Sequence, residues 1–422
     1  MMDFTLYNQA PARVIAPTTA EELADCLREA STAGSAVVPW GGGTRQLLGG
    51  PPARYDVALS MAGLPRVIEY TPADMVISVE AGATLGQVQD VLAANGQWLP
   101  WDPPLPRQAM IGGLLASGAG GPLRLGYGSP RDWTLGLRVA LADGRLVRSG
   151  SRVVKNVAGY DAHKLHIGAL GTLGVIAEAT FKVAPIPLRR QTLLAAFTSP
   201  TAPLEAISQL RQPPYQPISM VILNAVAEAA IPALHPFLPD RSAYLVVAVR
   251  FAGTPGAVAR QIRAAVAQCV DLGARAIELN EADDVPIWEA IADFTRPMGD
   301  LLLRVGAPIG QQREMIRLIE MTTRARGWAT ARMVIAGVGL AYARWPIAGV
   351  PPEALAVALA ELRERLATIG GYAVIEALPD ASGIDRDTLD IWGPSPESLA
   401  LMRSLRAAWD PAGILNPGRY VV

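Results

Sequence analysis

The sequence predicts an α+β protein of two domains, followed by a C-terminal segment. Three observations lead there. At 422 residues the chain is too long for one hydrophobic core. Pro185-Ile186-Pro187 followed by Arg189-Arg190 separates a glycine-rich first part from a second part with regular strand and helix alternation. That second part repeats the order β-α-β-β-α-β, which predicts an antiparallel sheet built from two such halves. The boundaries read as 1–187, 188–395 and 396–422.

The spacing predicts a helix over residues 20–33, with Thr18 or Thr19 as its cap and Glu21 and Glu22 in its first turn. A strand at 36–39 runs into Trp40-Gly41-Gly42-Gly43-Thr44. Three glycines remove every Cβ there, so backbone N–H groups can gather into one concavity that suits phosphate oxygens. A flexible surface turn is the alternative. The loop is neither a Walker loop nor the Rossmann fingerprint, because the closing Gly-Lys-Ser/Thr and the Gly-x-Gly-x-x-Gly spacing are missing.

Strands are expected at 56–59, 66–70 and 75–79, then a helix capped by Thr84 and running through Ala94. From Gly113 to Gly121, nine residues include four glycines, two alanines and a serine. Such a run reads as backbone lying against a flat or extended ligand, or else as a small-residue helix–helix contact. A strand at 135–142 turns at Asp143-Gly144 into a strand at 145–148, and a long strand ends near Val183.

In the second part, strands at 191–198, 217–224, 243–251 and 275–279 alternate with helices at 202–211 and 255–272. Strands at 300–305, 331–337, 339–344 and 372–377, with helices at 309–326 and 352–368, repeat the order. A last helix is expected at 396–409.

Composition narrows the function. A net charge of −1 argues against a nucleic-acid or anionic-membrane surface. The two cysteines, Cys26 and Cys269, support neither a disulfide framework nor a cysteine metal site, which suits a reducing cytoplasm. No signal peptide is read at the N-terminus, and no apolar run reaches the ~20 residues that span a bilayer. Any membrane contact is expected to be peripheral, through a partner. The only lysines, Lys155, Lys164 and Lys182, fall in one stretch, through arginine-biased coding or a local need for a compact ammonium.

Six segments carry a resemblance. Pro39–Thr44, Ile111–Gly121, Gly126-Tyr127-Gly128, Lys155–Asp161, Gly171–Ile176 and Leu415-Asn416-Pro417-Gly418-Arg419 stand in the order found in the vanillyl-alcohol oxidase and p-cresol methylhydroxylase flavoproteins. Together they cover about residues 1–187 and the C-terminus. Within that family, Arg152–Asp161 and Leu170–Gly174 are similar to the FAD-binding subunits of bacterial glycolate oxidases.

The resemblance implies a two-part FAD-binding domain and site residues for it. Pro39, Trp40, Gly41, Gly42, Gly43 and Thr44 would cradle the pyrophosphate. Gln108, Met110, Ile111, Gly112, Gly113, Ser117, Gly118, Gly120 and Gly121 would line the flavin and ribityl chain. Gly171, Thr172, Gly174, Val175 and Ile176 would pass along the adenosine or flavin edge, and Asn416 and Arg419 would close the pocket. Lys155, Tyr160 and Asp161 would sit near the flavin, or a lysine–aspartate pair would pin a loop there.

The implied chemistry is oxidation of a small 2-hydroxyacid such as glycolate, with FAD as electron acceptor and a base taking the hydroxyl proton. The implied partners are a dehydrogenase subunit and an iron–sulfur subunit. Two departures matter. Gly42-Gly43-Thr44 stand where covalent members often carry a histidine, so FAD is expected to be non-covalent. The family's 2-hydroxyacid dehydrogenases use paired histidines and a glutamate of the second domain for a divalent metal. This chain has three histidines, His163, His166 and His235, so no metal site is expected. His163 and His166 are candidate bases, and Arg296, Arg304 and Arg332 are candidate carboxylate clamps. The readings left open are an accessory FAD subunit, a stand-alone dehydrogenase and a scaffold without flavin.

Overall fold

The computed structural model describes residues 3–152, 159–238, 244–379 and 389–422. It divides into two units. The first comprises Met1–Gly120, Ser129–Ile186 and Arg386–Val422, and the second comprises Gly121–Gly128 and Pro187–Asp385.

The first unit begins with a strand the sequence did not announce, β1 (Arg13–Ile15), too short to show a pattern. Helix α1 (Ala20–Ala33) follows, with Thr19 Oγ1 accepting from the Glu22 amide and Gly34 closing it in the left-handed region. Next come β2 (Val37–Trp40) and β3 (Val57–Ser60), which form a parallel sheet in the order β1-β3-β2. The chain goes on through β4 (Val67–Thr71), β5 (Val76–Glu80), α2 (Leu85–Ala93), β6 (Gln97–Trp98) and α3 (Ile111–Ser117). Thr84 and Gln87 make a reciprocal capping box at the start of α2.

After α4 (Arg124–Tyr127), which belongs to the second unit, come α5 (Pro130–Trp133), β7 (Thr134–Ala140), β8 (Leu146–Gly150), β9 (Val175–Lys182) and β10 (Ala184–Pro185). Strands β4-β5-β9-β7-β8 form an antiparallel sheet, and β6 pairs with β10. One core runs beneath them, joining Leu23 and Leu27 of α1, Ile77, Val139 and Phe181 of the sheet, and Ile414 and Leu415 from the end of the chain.

The second unit contains β11 (Arg189–Phe197), α6 (Ala202–Leu210), β12 (Pro217–Asn224), α7 (Ala225–Ala229), β13 (Leu245–Gly253), α8 (Pro255–Asp271) and β14 (Arg275–Glu278). Helix α9 (Glu281–Ala292) then leads to β15 (Leu301–Gly306), α10 (Gln312–Arg324), β16 (Ala331–Ile335), β17 (Leu340–Trp345), α11 (Pro352–Ala367) and β18 (Tyr372–Ala377). The eight strands form one antiparallel sheet ordered β14-β11-β13-β12-β16-β17-β15-β18. Numbering the strands within each half gives 4-1-3-2 followed by 2-3-1-4. The halves mirror each other and join through their second strands, with Val221 opposite Ile335 and Leu223 opposite Met333. This is the double β-α-β-β-α-β sheet expected from the sequence.

Two differences stand out. Helix α9 was not foreseen, because Pro286 lies inside it and reads as a breaker. Tertiary bonds hold it. Asp284 accepts from Thr192 Oγ1 at 2.6 Å and from Arg250 Nε at 2.9 Å, and Trp288 Nε1 donates to Thr192 Oγ1 at 2.7 Å. The small-residue run, read as backbone lying against a ligand or else as a small-residue helix contact, folds from Ile111 to Ser117 into α3, and Gly118 ends it at φ +61°. The reason is close packing. A Cβ on Gly112 would lie 2.9 Å from Ala81 Cβ, so only glycine lets α3 sit against the end of β5. The final helix, α12 (Leu399–Trp409), starts three residues later than expected.

Candidate functional site

The glycine loop after β2, the face of α3, the turn at 170–176 and the C-terminal tail line one cleft in the first unit. It encloses about 750 Å³ of empty space, part of it open to solvent. The tail is brought there by backbone pairing. The Val37 amide donates to the Ile414 carbonyl at 2.8 Å, and the Asn416 amide donates to the Val37 carbonyl at 2.8 Å. Asp410, itself buried, accepts from the amides of Ile414 and Leu415 at 3.0 and 2.8 Å and so fixes the turn into this pairing.

The loop is shaped by contacts only glycine permits. A Cβ on Gly42 would stand 1.8 Å from the Gln108 carbonyl oxygen. Gly43 has φ +74° and Gly171 has φ +72°. Gly113, by contrast, would meet nothing within 4 Å, because it faces open space in the cleft.

No lining residue is acidic, and Arg45 and Arg419 both contribute. Arg419 is buried among carbonyls. It donates to Gly50 O at 3.2 Å, Gln46 Oε1 at 2.8 Å, Gln46 O at 2.5 Å and Leu48 O at 2.7 Å. Burial pulls its pKa below the ordinary arginine value, yet a guanidinium keeps its charge in a protein. Gln46 Nε2 in turn donates to Pro39 O at 2.9 Å. Asn416 sits in the left-handed region at φ +46° and donates from Nδ2 to Leu170 O at 2.6 Å. Its Oδ1 is buried and has no hydrogen-bond partner. Backbone stripped of side chains and a surplus of positive charge suit an extended anionic ligand, and the orphaned acceptor suits one that also carries a hydrogen-bond donor.

Of the residues expected at this site, Pro39, Gly41–Thr44, Met110, Gly112, Gly113, Ser117, Gly171, Gly174, Val175, Ile176, Asn416 and Arg419 line the cleft. Others do not. Trp40 turns into the interior, edge-on to Phe4 at 5.3 Å. Ile111 and Thr172 are buried structural residues, the latter donating to Ala169 O at 2.7 Å. Gln108 contributes only the carbonyl that meets Gly42, Gly118 ends α3, and Gly120 and Gly121 lie beyond the lining. Tyr160 is 95% exposed and stands away from the cleft, its carbonyl held by Ser149 Oγ at 3.2 Å. Lys155 falls outside the described residues. Asp161 pairs instead with Lys164 at 2.6 Å, and Lys182 lies 5.0 Å from the Trp133 ring. Ala116, within the expected run Ala116 to Gly121, also lines the cleft, whereas the sequence reading missed Arg45, Gln46, Leu48, Met61 and Leu170. Their signal was position alone, since Arg45 and Gln46 directly follow Thr44.

The candidate bases are elsewhere. His163 and His166 line a second pocket with Leu137, Val147 and Trp409. His166 stacks on Trp409 with ring centres 5.2 Å apart, and burial lowers its pKa to about 4. Burial also lowers that of His163, although Asp161 opposes the shift. His166 touches the cleft only through Gly174, whose added Cβ would be 3.4 Å from His166 Cε1.

The candidate clamps are also occupied. Arg296 pairs with Asp293 at 3.2 Å, Arg304 with Glu376 at 2.5 Å and Arg332 with Glu320 at 2.7 Å. His235 Nε2 lies 3.2 Å from the Ala229 carbonyl. Among the described residues no group of three or more histidine, cysteine or acidic side chains is placed to hold a metal, and no helix is long and apolar enough to cross a membrane.

Comparison with known proteins names a cofactor. The FAD binding domain profile matches residues 11–150, and the profile of FAD linked oxidases, C-terminal domain, matches residues 186–375 and 393–420. The glycolate oxidase subunit GlcD of Bacillus subtilis is 26% identical over 428 residues, covering 98% of this chain and 89% of that protein. The glycolate oxidase subunit GlcE of Escherichia coli is 37% identical over 158 residues, 36% of this chain and 43% of that protein. A D-2-hydroxyglutarate dehydrogenase of Stutzerimonas stutzeri is 25% identical over 443 residues, covering 98% and 91%. In structure, p-cresol methylhydroxylase with substrate bound matches with a TM-score of 0.76 at 15% identity, over 98% of this chain and 90% of that one. The cofactor is FAD, and the orphaned Asn416 Oδ1 and the side-chain-free loop at Gly42 fit a dinucleotide.

Proposed function

The chain belongs to the FAD-linked oxidases, and from that premise we propose that it is the FAD-carrying accessory subunit of a glycolate-type 2-hydroxyacid oxidase complex. Its partners in this reading are a dehydrogenase subunit and an iron–sulfur subunit, and any membrane contact is made through them. One observation carries the reading. Arg296, Arg304 and Arg332, the arginines first considered as carboxylate clamps, each end on a carboxylate of their own unit. The sequence also leaves that region a single histidine, His235, where the family's metal site takes a pair. Further support comes from GlcE, whose similarity to this chain is higher per residue than that of GlcD but is confined to about a third of the chain.

When bound, FAD supplies a two-electron acceptor that passes electrons onward. The amides of Gly41 to Thr44 would bind the diphosphate, and Asn416 Oδ1 would accept a hydrogen bond from the cofactor. Arg419 holds the loop 46–50 through its carbonyls and adds positive charge behind it. With Gly42-Gly43-Thr44 in the first loop, no histidine there can tether the flavin, so the cofactor is held non-covalently.

The second reading is a stand-alone FAD-dependent 2-hydroxyacid dehydrogenase, favoured by the full-length similarity to GlcD and to the D-2-hydroxyglutarate dehydrogenase. Anaerobic titration of the purified yellow chain with glycolate and with D-lactate separates the two. The accessory reading expects flavin absorbance to stay unchanged until the dehydrogenase subunit is added. Bleaching by either acid without a partner would replace it with the stand-alone reading.

A further inference from the structure

The second unit holds a pocket whose lining shares no residue with the cleft of the first unit. It lies where β12, β16 and β17 meet the segment after α9, and it contains about 1000 Å³ of empty space including its open mouth. Its end of β12 is opposite the one where α4 packs. An added Cβ on Gly126 would be 2.8 Å from Ile218 Cα near the start of β12, whereas Val226, just past the end of that strand, lines the pocket. Most of the wall is apolar, including Ile231, Pro232, Phe294 and Pro346.

Arg344 is the polar residue in its depth. It is 5% exposed and enters the pocket from the end of β17. Its Nε donates to the Phe294 carbonyl at 3.0 Å, and its Nη2 donates to the carbonyls of Phe294 and Arg296 at 2.5 Å each. The guanidinium carbon stands 5.0 Å from the centre of the Phe294 ring. These partners fix its orientation without neutralising its charge. Nη1 has no hydrogen-bond acceptor among the described residues, and its ion-pair distance to Asp300 Oδ2 is 3.9 Å, too long for a hydrogen bond. The pocket's other guanidinium, Arg296, already pairs with Asp293.

A buried cation is costly unless an anion meets it. Here an oriented guanidinium keeps one donor arm unused, and apolar walls extend beyond it. We propose that this pocket binds a small carboxylate with an apolar body, its carboxylate received by Arg344 Nη1. Asp300, 43% exposed at its side chain, stands close enough to repel that anion and so weakens the site. The apolar body covers Ile231, Pro232 and Phe294.

The test is isothermal titration of the FAD-loaded full chain with octanoate, and with octan-1-ol as the uncharged counterpart. One octanoate per chain is expected, with octan-1-ol at least tenfold weaker. Asp300→Asn, a change at a half-exposed side chain, is expected to tighten octanoate several-fold, and Arg344→Met to weaken it at least tenfold. No heat with octanoate, equal affinity for the alcohol, or no gain in Asp300→Asn would each overturn the proposal. If Arg344→Met does not fold, the alcohol comparison and Asp300→Asn still decide.

Discussion

Asn416 Nδ2 donates to the carbonyl of Leu170 at 2.6 Å, joining positions 246 residues apart in the chain. Leu170 itself is tied to α3, since its amide donates to Ala116 O at 2.8 Å. The last residues of the chain thus brace the turn that forms one wall of the cleft proposed to hold FAD, although they lie far from the glycine loop in sequence.

Asp410 is the hinge of that arrangement. Replacing it by Ala leaves the amides of Ile414 and Leu415 buried without acceptors, which costs about 2–4 kcal/mol by the usual penalty for such groups. The expected outcome is a lower denaturation midpoint and a lower flavin-to-protein absorbance ratio after gel filtration. Wild-type values of both would show that the tail pairs with β2 without its help.

Gly42 and Gly113 face the same cleft but should fail differently. Gly42→Ala puts a methyl onto the Gln108 carbonyl, so the loop must shift and the protein should lose both stability and FAD. In Gly113→Ala the methyl enters free space, and the melting temperature of the apo protein should hold while FAD affinity falls. Equilibrium dialysis against FAD beside a melt of the apo proteins separates the cases. A Gly113→Ala variant that binds FAD like the wild type would mean the cofactor does not reach α3.

His166 sets a pH dependence of stability. The unfolded chain protonates it near 6.5, and the folded chain only near 4, because burial disfavours the cation. Between those values the unfolded state holds more protons. Stability is therefore unaffected by this group above pH 6.5 and falls as the pH drops towards 4, by at most about 3 kcal/mol. Urea midpoints at pH 7.5 and 4.5 should draw closer together in His166→Phe, which keeps an aromatic ring against Trp409. An unchanged difference would assign the acid sensitivity to other groups, His163 first among them.

Local signals survive without tertiary context. The caps at Thr19 and Thr84, the strand ending in Val37-Val38-Pro39-Trp40, and the twofold β-α-β-β-α-β order were all legible in the sequence. Each depends on periodicity or on a side chain bonding to backbone within four residues. The glycine loop was legible for the same reason, since three adjacent glycines restrict what the backbone is for. Helix α9 was not, because its stability comes from Asp284 and Trp288 reaching Thr192 and Arg250 across the sheet, which outweighs the local penalty of Pro286.

By itself, then, the sequence determined the class of the fold, the antiparallel sheet of two β-α-β-β-α-β halves and most of the chain segments that line the cleft of the first unit, through patterns written in neighbouring residues. Only the tertiary structure decided which of those residues face the cleft. Trp40 and Thr172 stand in segments that line the cleft but turn away, while Arg45, Gln46 and Leu170 turn in. The same holds for charge. Whether an arginine can receive a substrate depends on which carboxylate packs against it, and packing brings Glu376 to Arg304, Glu320 to Arg332, and, among the described residues, only carbonyl oxygens within hydrogen-bonding reach of Arg344 and Arg419. Local spacing cannot encode those partners, because burial and pairing are properties of chain segments that meet only after folding.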